Sequence, residues 1–300
     1  MTLANIGLDP EILAISNGYI VPAEHFVPAP TRDTQGVLNP LSWDNAAVEM
    51  RPHHSPIPRQ LAATTSLLMR RTRMKLKAAI ASGTIPADTK LSFTPASHLT
   101  PDSMALESVK KFGCSPSMKV TSDFSSVVTV PSLCASSTTI RTAGFHIHHE
   151  LADPTIPQAA VAVLDGLLGL TDVLVNHSRG WSSASRARRM ELGYGGAGEY
   201  RCRVVPTGAS VMEYRTMSPW PLASLPSMVW ATKVMSDVCS MELRPLMKVL
   251  SQFPNRSEVI EAIDTSDNIN ATKLLLRTSM VWGKQFSAHT IIRQTRRYIK

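Results

Sequence analysis

The segment RTAGFHIHHE, Arg141 to Glu150, sets three histidines and a glutamate close behind a glycine. In an extended chain, side chains two residues apart share a face. His146 and His148 therefore point one way, with Glu150 following, and His149 points the other. Two imidazoles on one face suit a metal ion, a phosphate or a transition-state contact, and a pair of half-exposed strand histidines satisfies the same spacing. The pattern recurs in three other short segments: Asp9 and Glu11 in LDPEI, Glu49 in WDNAAVEMRP, and Glu213 with Arg215 in MEYR. A charged residue between apolar strand neighbours is unfavourable unless it is paired, hydrated or bound to a metal. Four such segments together carry what a sheet lined with Mg2+ ligands and phosphate-binding guanidiniums requires.

Strands and turns must bring these segments together. EILAISNGYIVPA reads as two apolar runs joined by Asn17-Gly18, the dipeptide suited to a two-residue hairpin turn. Between Ile57 and Ser82 apolar residues recur at helical spacing, from Leu61 through Leu68 to Leu76, and Gly83 ends the pattern. The exposed side of this helix carries Arg70, Arg71, Arg73, Lys75 and Lys77 and is read as a solvated face rather than a nucleic-acid patch. Thr100 as N-cap and Pro101 in the first turn predict a second helix to Gly113, and a third is expected over Pro157 to Leu170. EYRCRVVPTGASVMEYRT predicts a second hairpin, with Arg201 and Arg203 on one face of its first strand. Helical patterns follow from Pro219 onward, including SEVIEAID behind a serine cap. The proline-rich stretches VPAPTRDTQGVLNP and RPHHSPIP read as loops. Strands mixed with helices predict an α+β fold.

Composition narrows the function classes. The 300 residues, 43% of them hydrophobic, describe a globular chain, and the formal charge of +8 favours anionic partners. The first residues show no basic region followed by an apolar one, and runs such as Ala159 to Leu164 are too short to cross a bilayer. A cytoplasmic, non-membrane protein is expected. Cys114, Cys134, Cys202 and Cys239 are scattered without a C-x-x-C pair, so they are read as reduced thiols. GYGGAGEYR satisfies G-x-G-x-x-G but leads into a strand instead of opening a helix, so it fails as a dinucleotide fingerprint. It is either an anion-binding loop or a plain connection.

In order, GLDPEILAI, DNAAVEMRP, FGCSP, RTAGFHIHHE, RRMELGYGGAGEYR and VMEYRTMSPW resemble the phage-type amidoligases, the second type of carboxyl-amine ligase, in the superfamily of glutamine synthetase and glutamate-cysteine ligase. The resemblance runs from Ile6 to Trp220 and implies a catalytic core over residues 1–220, with a helical region at 221–300 packed on it. It implies an antiparallel sheet flanked by helices, whose concave face holds ATP and Mg2+. It further implies a phage-encoded enzyme of the host cytoplasm that phosphorylates a carboxylate, so that an amine can displace phosphate and form an amide. The carboxylate and amine could belong to amino acids, peptides, a protein side chain or a modified nucleobase. Carried over by position, Asp9, Glu11, Glu49, His146, His148 and Glu213 are the metal candidates. Arg215 and Arg201 are expected at the phosphoryl group or nucleotide, Arg141 is a further cofactor-binding candidate, and His148 is a catalytic one. Asp44-Asn45 stands where the pattern has Asp-Gly, and Asn tolerates the same left-handed turn. No residue matches a general base or an adenine pocket.

Two other classes fit parts of the pattern. One is a non-catalytic nucleic-acid-binding or virion protein on this fold, and the other is a metal-dependent hydrolase using His146, His148 and the acids to activate water.

Overall fold

The structure, a computed structural model, describes residues 4–34, 36–110, 116–129 and 137–282. Cys114, Cys134 and the FGCSP segment up to Ser115 lie outside the described residues. The chain runs β1 (Ile6–Ser16), β2 (Tyr19–Val21), β3 (Leu41–Asp44), β4 (Ala47–Met50), α1 (Pro58–Ala81), β5 (Lys90–Ser92), β6 (Ala96–Leu99), β7 (Ser117–Val120) and β8 (Ser126–Thr129). It continues with β9 (Ile140–Thr142), β10 (Phe145–Glu150), α2 (Pro157–Leu164), α3 (Leu170–Ser178), α4 (Ser182–Arg186), β11 (Glu199–Val204) and β12 (Ser210–Tyr214). Among the described residues four α-helices follow: α5 (Leu225–Cys239), α6 (Leu243–Leu250), α7 (Arg256–Asp264) and α8 (Asn268–Trp282).

The fold is α+β, a mixed sheet flanked by helices. Its main path is β8-β7-β11-β12-β10-β1-β2-β6-β9, with β4 and β5 also pairing with β1 and β3 with β4. The expectation of a purely antiparallel sheet is corrected at one place, where β2 and β6 run parallel. Both predicted hairpins form. Asn17 at φ 49° and Gly18 at φ 83° make the first turn, because a two-residue turn needs left-handed backbone at both positions. The second joins β11 to β12.

Strand alternation divides the sheet chemically. Leu8, Ile12, Phe145, Ile147, Met212 and Tyr214 belong to one buried core with residues of α1, α2 and α5. That core also crosses residue 220, since Met228, Val234 and Leu246 are part of it. His149, read as structural, is buried on this side and contacts Ser236 of α5 at 3.2 Å.

α2 and α3 are one helix of 22 residues, Pro157–Ser178, joined by a π turn over Asp165–Gly169. It exceeds the expected end at Leu170. It is long and apolar enough to span a membrane, yet 89% of its apolar window is buried in the fold. Its polar groups also have protein partners: Asp165 accepts a hydrogen bond from the Tyr214 hydroxyl at 2.7 Å and pairs with Arg256 at 2.7 Å. Asp172 pairs with Arg189 at 2.6 Å.

The helix expected from Thr100 does not form. Thr100 does cap, its Oγ1 accepting from the Ser103 amide at 3.2 Å. Leu106 then turns extended, at φ −69° and ψ 136°, between two short 3-10 turns. Leu106 and Met104 pack against Leu13, Ile20, Leu99 and Val109, so tertiary burial overrides the cap signal. The cap of α7 is Asn255, whose side chain accepts from Ser257, in place of the expected serine.

Candidate functional site

The face of the sheet opposite that core collects the charged residues in cross-strand rows. Arg201 on β11 lies opposite Glu213 on β12, and Glu213 opposite His148 on β10. One step along, Asp9 on β1 lies opposite His146. Further along β1, Glu11 faces Glu49 on β4. The period of two puts each pair on one face, and antiparallel register brings them within reach.

Asp9, His146 and Glu213 converge most closely, each offering one ligand atom within 4.8 Å of the others. This set can coordinate a metal ion. An ion with bonds of about 2.1 Å places neighbouring donors about 3 Å and opposite donors about 4.2 Å apart, so a small contraction suffices. His146 turns Nδ1 inward, 3.6 Å from Asp9 Oδ1 and 3.8 Å from Glu213 Oε1. Its Nε2 lies 2.7 Å from the Tyr194 hydroxyl. With Nδ1 as the ligand atom, Nε2 keeps its proton and donates it to the Tyr194 oxygen, which fixes the tautomer.

His148 Nε2 sits 2.7 Å from Asp9 Oδ1. Glu11 is turned toward the backbone, its Oε2 accepting from the Gly144 amide at 2.7 Å. Glu49 forms an ion pair with Arg51, whose Nη1 also donates to Ser42 at 2.7 Å. Burial pushes the Glu11 carboxyl up, His146 pulls against it, and Asp44 adds to the push. Arg215 is 2% exposed and ties together Glu213, Glu199 at 3.4 Å and the Tyr194 hydroxyl at 3.3 Å. It therefore braces the site from beneath. Arg201 reaches Glu213 at 3.7 Å from the rim.

Arg141 stands apart from this group. It is buried near the far edge of the sheet, donating to the carbonyls of Val109 at 2.6 Å, Thr138 at 2.7 Å and Ile140 at 2.8 Å. These bonds tie β9 to the segment around Val109 and place Arg141 outside the Asp9, His146 and Glu213 group.

Beside His148 and Glu213 opens a cleft of about 370 Å³. Arg201 and Arg203 line it together with Met118, Val128 and Val211. It offers an anion two guanidiniums and an apolar wall.

Sequence reasoning missed Tyr194, Glu199, Asp44 and Arg51. Glu199 is buried and takes the Gly195 amide as well as Arg215. The glycine stretch is thus a connection, because two of its amides are spent on carboxylates: that of Gly195 on Glu199 and that of Ala197 on Asp264. Gly195 has a second constraint. At φ +68°, it lies against the Arg188 guanidinium, well inside contact distance for any added Cβ. Arg188 in turn donates to the carbonyls of Arg215, Thr216 and Met217 and lies 4.9 Å from the Tyr194 ring centroid. Gly195→Ala is expected to cost about 2–3 kcal/mol, from left-handed strain plus displacement of Arg188. Chemical denaturation checks this, and a loss within experimental scatter would mean that the loop repacks freely.

The acid–imidazole pair gives the metal-free protein a pH signature. Burial works to raise Asp9, but the His148 charge and hydrogen bonds from both histidines outweigh it and hold the carboxyl well below the usual range. Burial works to lower His148, and Asp9 reverses this, raising the imidazole above 6.5. A depressed acid contributes stability above its unfolded value of about 3.9 and loses it as pH falls through the folded value. A raised imidazole contributes below about 6.5 and loses it as pH rises through the folded value. Between about pH 4 and pH 6.5 the pair should therefore stabilise most. Melting curves in chelator across that span should show a difference between wild type and Asp9→Asn that shrinks on both sides. A constant offset at every pH would rule the charge pair out.

No protein-family model matches the chain, and no curated protein matches it. Among solved structures it is similar to a bifunctional glutathione synthetase from Pasteurella multocida, at 9% identity and a TM-score of 0.43, over 98% of this chain and 47% of that one. The chain thus spans about half the length of that enzyme. The chemistry rests on the site's own residues.

Proposed function

We propose that this chain is an ATP-dependent ligase of the amidoligase type, joining a carboxylate to an amine through an acyl phosphate. The observation that carries the reading is the convergence of Asp9, His146 and Glu213 on a sheet face that opens into a cleft bearing Arg201 and Arg203. A carboxylate is a poor electrophile at neutral pH, and its phosphorylation supplies a leaving group. A bound Mg2+ would neutralise charge on the phosphates as the phosphoryl group moves. Asp9, His146 and Glu213 would hold it, with Glu11 and Glu49 adding negative potential alongside.

The protein's own part is positioning and electrostatics. Tyr194 and Arg215 fix the ligand side chains, and Arg201 and Arg203 meet anionic groups entering the cleft. No protein nucleophile is needed, consistent with the absence of a nucleophile motif in the sequence. Within this reading residues 1–220 form the catalytic part, and 221–300 support it from the helical side.

The test is ADP and phosphate release from ATP and Mg2+ across pooled amino acids, polyamines and peptides. Release that depends on the pool supports a ligase and begins to name its substrates. Silence in every pool, with no Mg-ATP binding by calorimetry, sinks it. Hydrolytic activity without ATP would move the assignment to a metal-dependent hydrolase, which the mixed histidine and carboxylate set also suits.

A further inference from the structure

α1 is the most basic element described, and the site makes no use of it. Its 24 residues include Arg59, Arg70, Arg71, Arg73, Lys75 and Lys77 and no acid. All six cations are exposed. Among the described residues none of them has a carboxylate partner. Six like charges on one helix repel one another, so an anionic partner removes a cost the free protein bears.

Their arrangement says more than their number. At about 100° per residue, Leu67 and Met74 mark the middle of the outward face, and they are 56% and 68% exposed. Arg70, Arg73 and Lys77 fall on one side of that line, Arg71 and Lys75 on the other, with the two sets roughly 150° apart around the axis. The helix thus presents two cationic flanks with an uncharged strip between them. A major groove about 12 Å wide admits an α-helix and carries a phosphate strand along each wall. From this juxtaposition we propose that the outward face of α1 binds double-stranded DNA, its two flanks contacting phosphates on opposite strands.

An anionic bilayer fits less well. An interfacial helix sinks a broad apolar face among the lipids, whereas the apolar side of α1, including Leu61, Leu68 and Leu76, is already buried in the protein. Outward there remain only two scattered apolar side chains of appreciable size along the charged stretch, and no aromatic residue. Double-stranded RNA is disfavoured by its deep, narrow major groove.

The test is fluorescence anisotropy with the full chain and a labelled 20-base-pair DNA duplex, beside single-stranded DNA, duplex RNA and phosphatidylserine vesicles. Five phosphate contacts predict a slope of about −4.5 for log affinity against log salt. Arg71→Ala with Lys75→Ala should reduce the slope by about 2, and so should Arg73→Ala with Lys77→Ala, since the first pair removes one flank and the second leaves only Arg70 on the other. Both are surface changes, and unchanged melting temperatures establish that the fold survives. No duplex binding, a wild-type slope in either variant, or preferential binding of any competing probe would overturn the proposal.

Discussion

Asp172→Ala is expected to cost the folded protein about 3–5 kcal/mol, which lowers the melting temperature by roughly 6–15 °C. Asp172 and Arg189 pair at 2.6 Å with both side chains fully buried. Burial already pulls the Arg189 guanidinium below its usual range, against the attraction of Asp172. Removing the acid leaves that cation in the core with only neutral acceptors, the carbonyls of Gly195 and Ile263 and the Ser266 hydroxyl. The same acid receives the amide and hydroxyl of Ser218, at 2.8 Å and 2.6 Å, just beyond β12. Asp172→Asn keeps the shape and loses the charge, so comparing the two variants separates the ion pair from the hydrogen bonds. A cost below about 1 kcal/mol for the alanine variant, the value typical of an exposed pair, would show that water reaches Arg189.

For the proposed ligase activity, Glu213→Gln is expected to lower ATP turnover on the order of 10³-fold, about 4 kcal/mol of barrier, with little loss of stability. The amide retains size and one acceptor, yet forfeits the charge that the metal trio and Arg201 both use. Tyr194→Phe should have a smaller effect, a drop in metal affinity of about 10- to 100-fold, because it removes only the group that orients His146. Calorimetric titration with Mg2+ and Mn2+, beside ADP release, checks both. Equal metal affinity in wild type and Glu213→Gln would remove Glu213 from the ligand set.

These residues show where sequence reading succeeds and where it stops. His146 with His148, Asp9 with Glu11, and Glu213 with Arg215 are legible because a strand's period of two fixes which side chains share a face. Which strands become neighbours is a separate matter, since register depends on pairing across more than a hundred residues. Arg141 shows the difference: it sits five residues before His146, yet the break between β9 and β10 at Ala143 and Gly144 leaves it on another strand, held by carbonyls. Glu199 and Tyr194 lie in a glycine-rich stretch whose local pattern resembles only a nucleotide fingerprint. Their importance comes from Arg215 and His146, which no local pattern connects to them. The helix at Pro157 runs past its expected end at Leu170, because a π turn shifts the apolar phase without a break in the sequence.

β1 is the strand on which the rest depends, pairing with β2, β4, β5 and β10 within eleven residues. Its hairpin with β2 is local, and such hairpins close in about 1–10 μs. Its contact with β10 joins Asp9 to His146, and Glu213 arrives from later still in the chain. Loop-closure entropy delays pairings of that span. During synthesis at about 5–20 residues per second, roughly 10–40 seconds therefore separate the emergence of the site's first acid, Asp9, from that of Glu213. For that interval the acids of β1 have neither a metal site to join nor a finished sheet edge to occupy. The carboxylates at Asp9 and Glu11 meanwhile discourage the unpaired strand from pairing with another nascent copy.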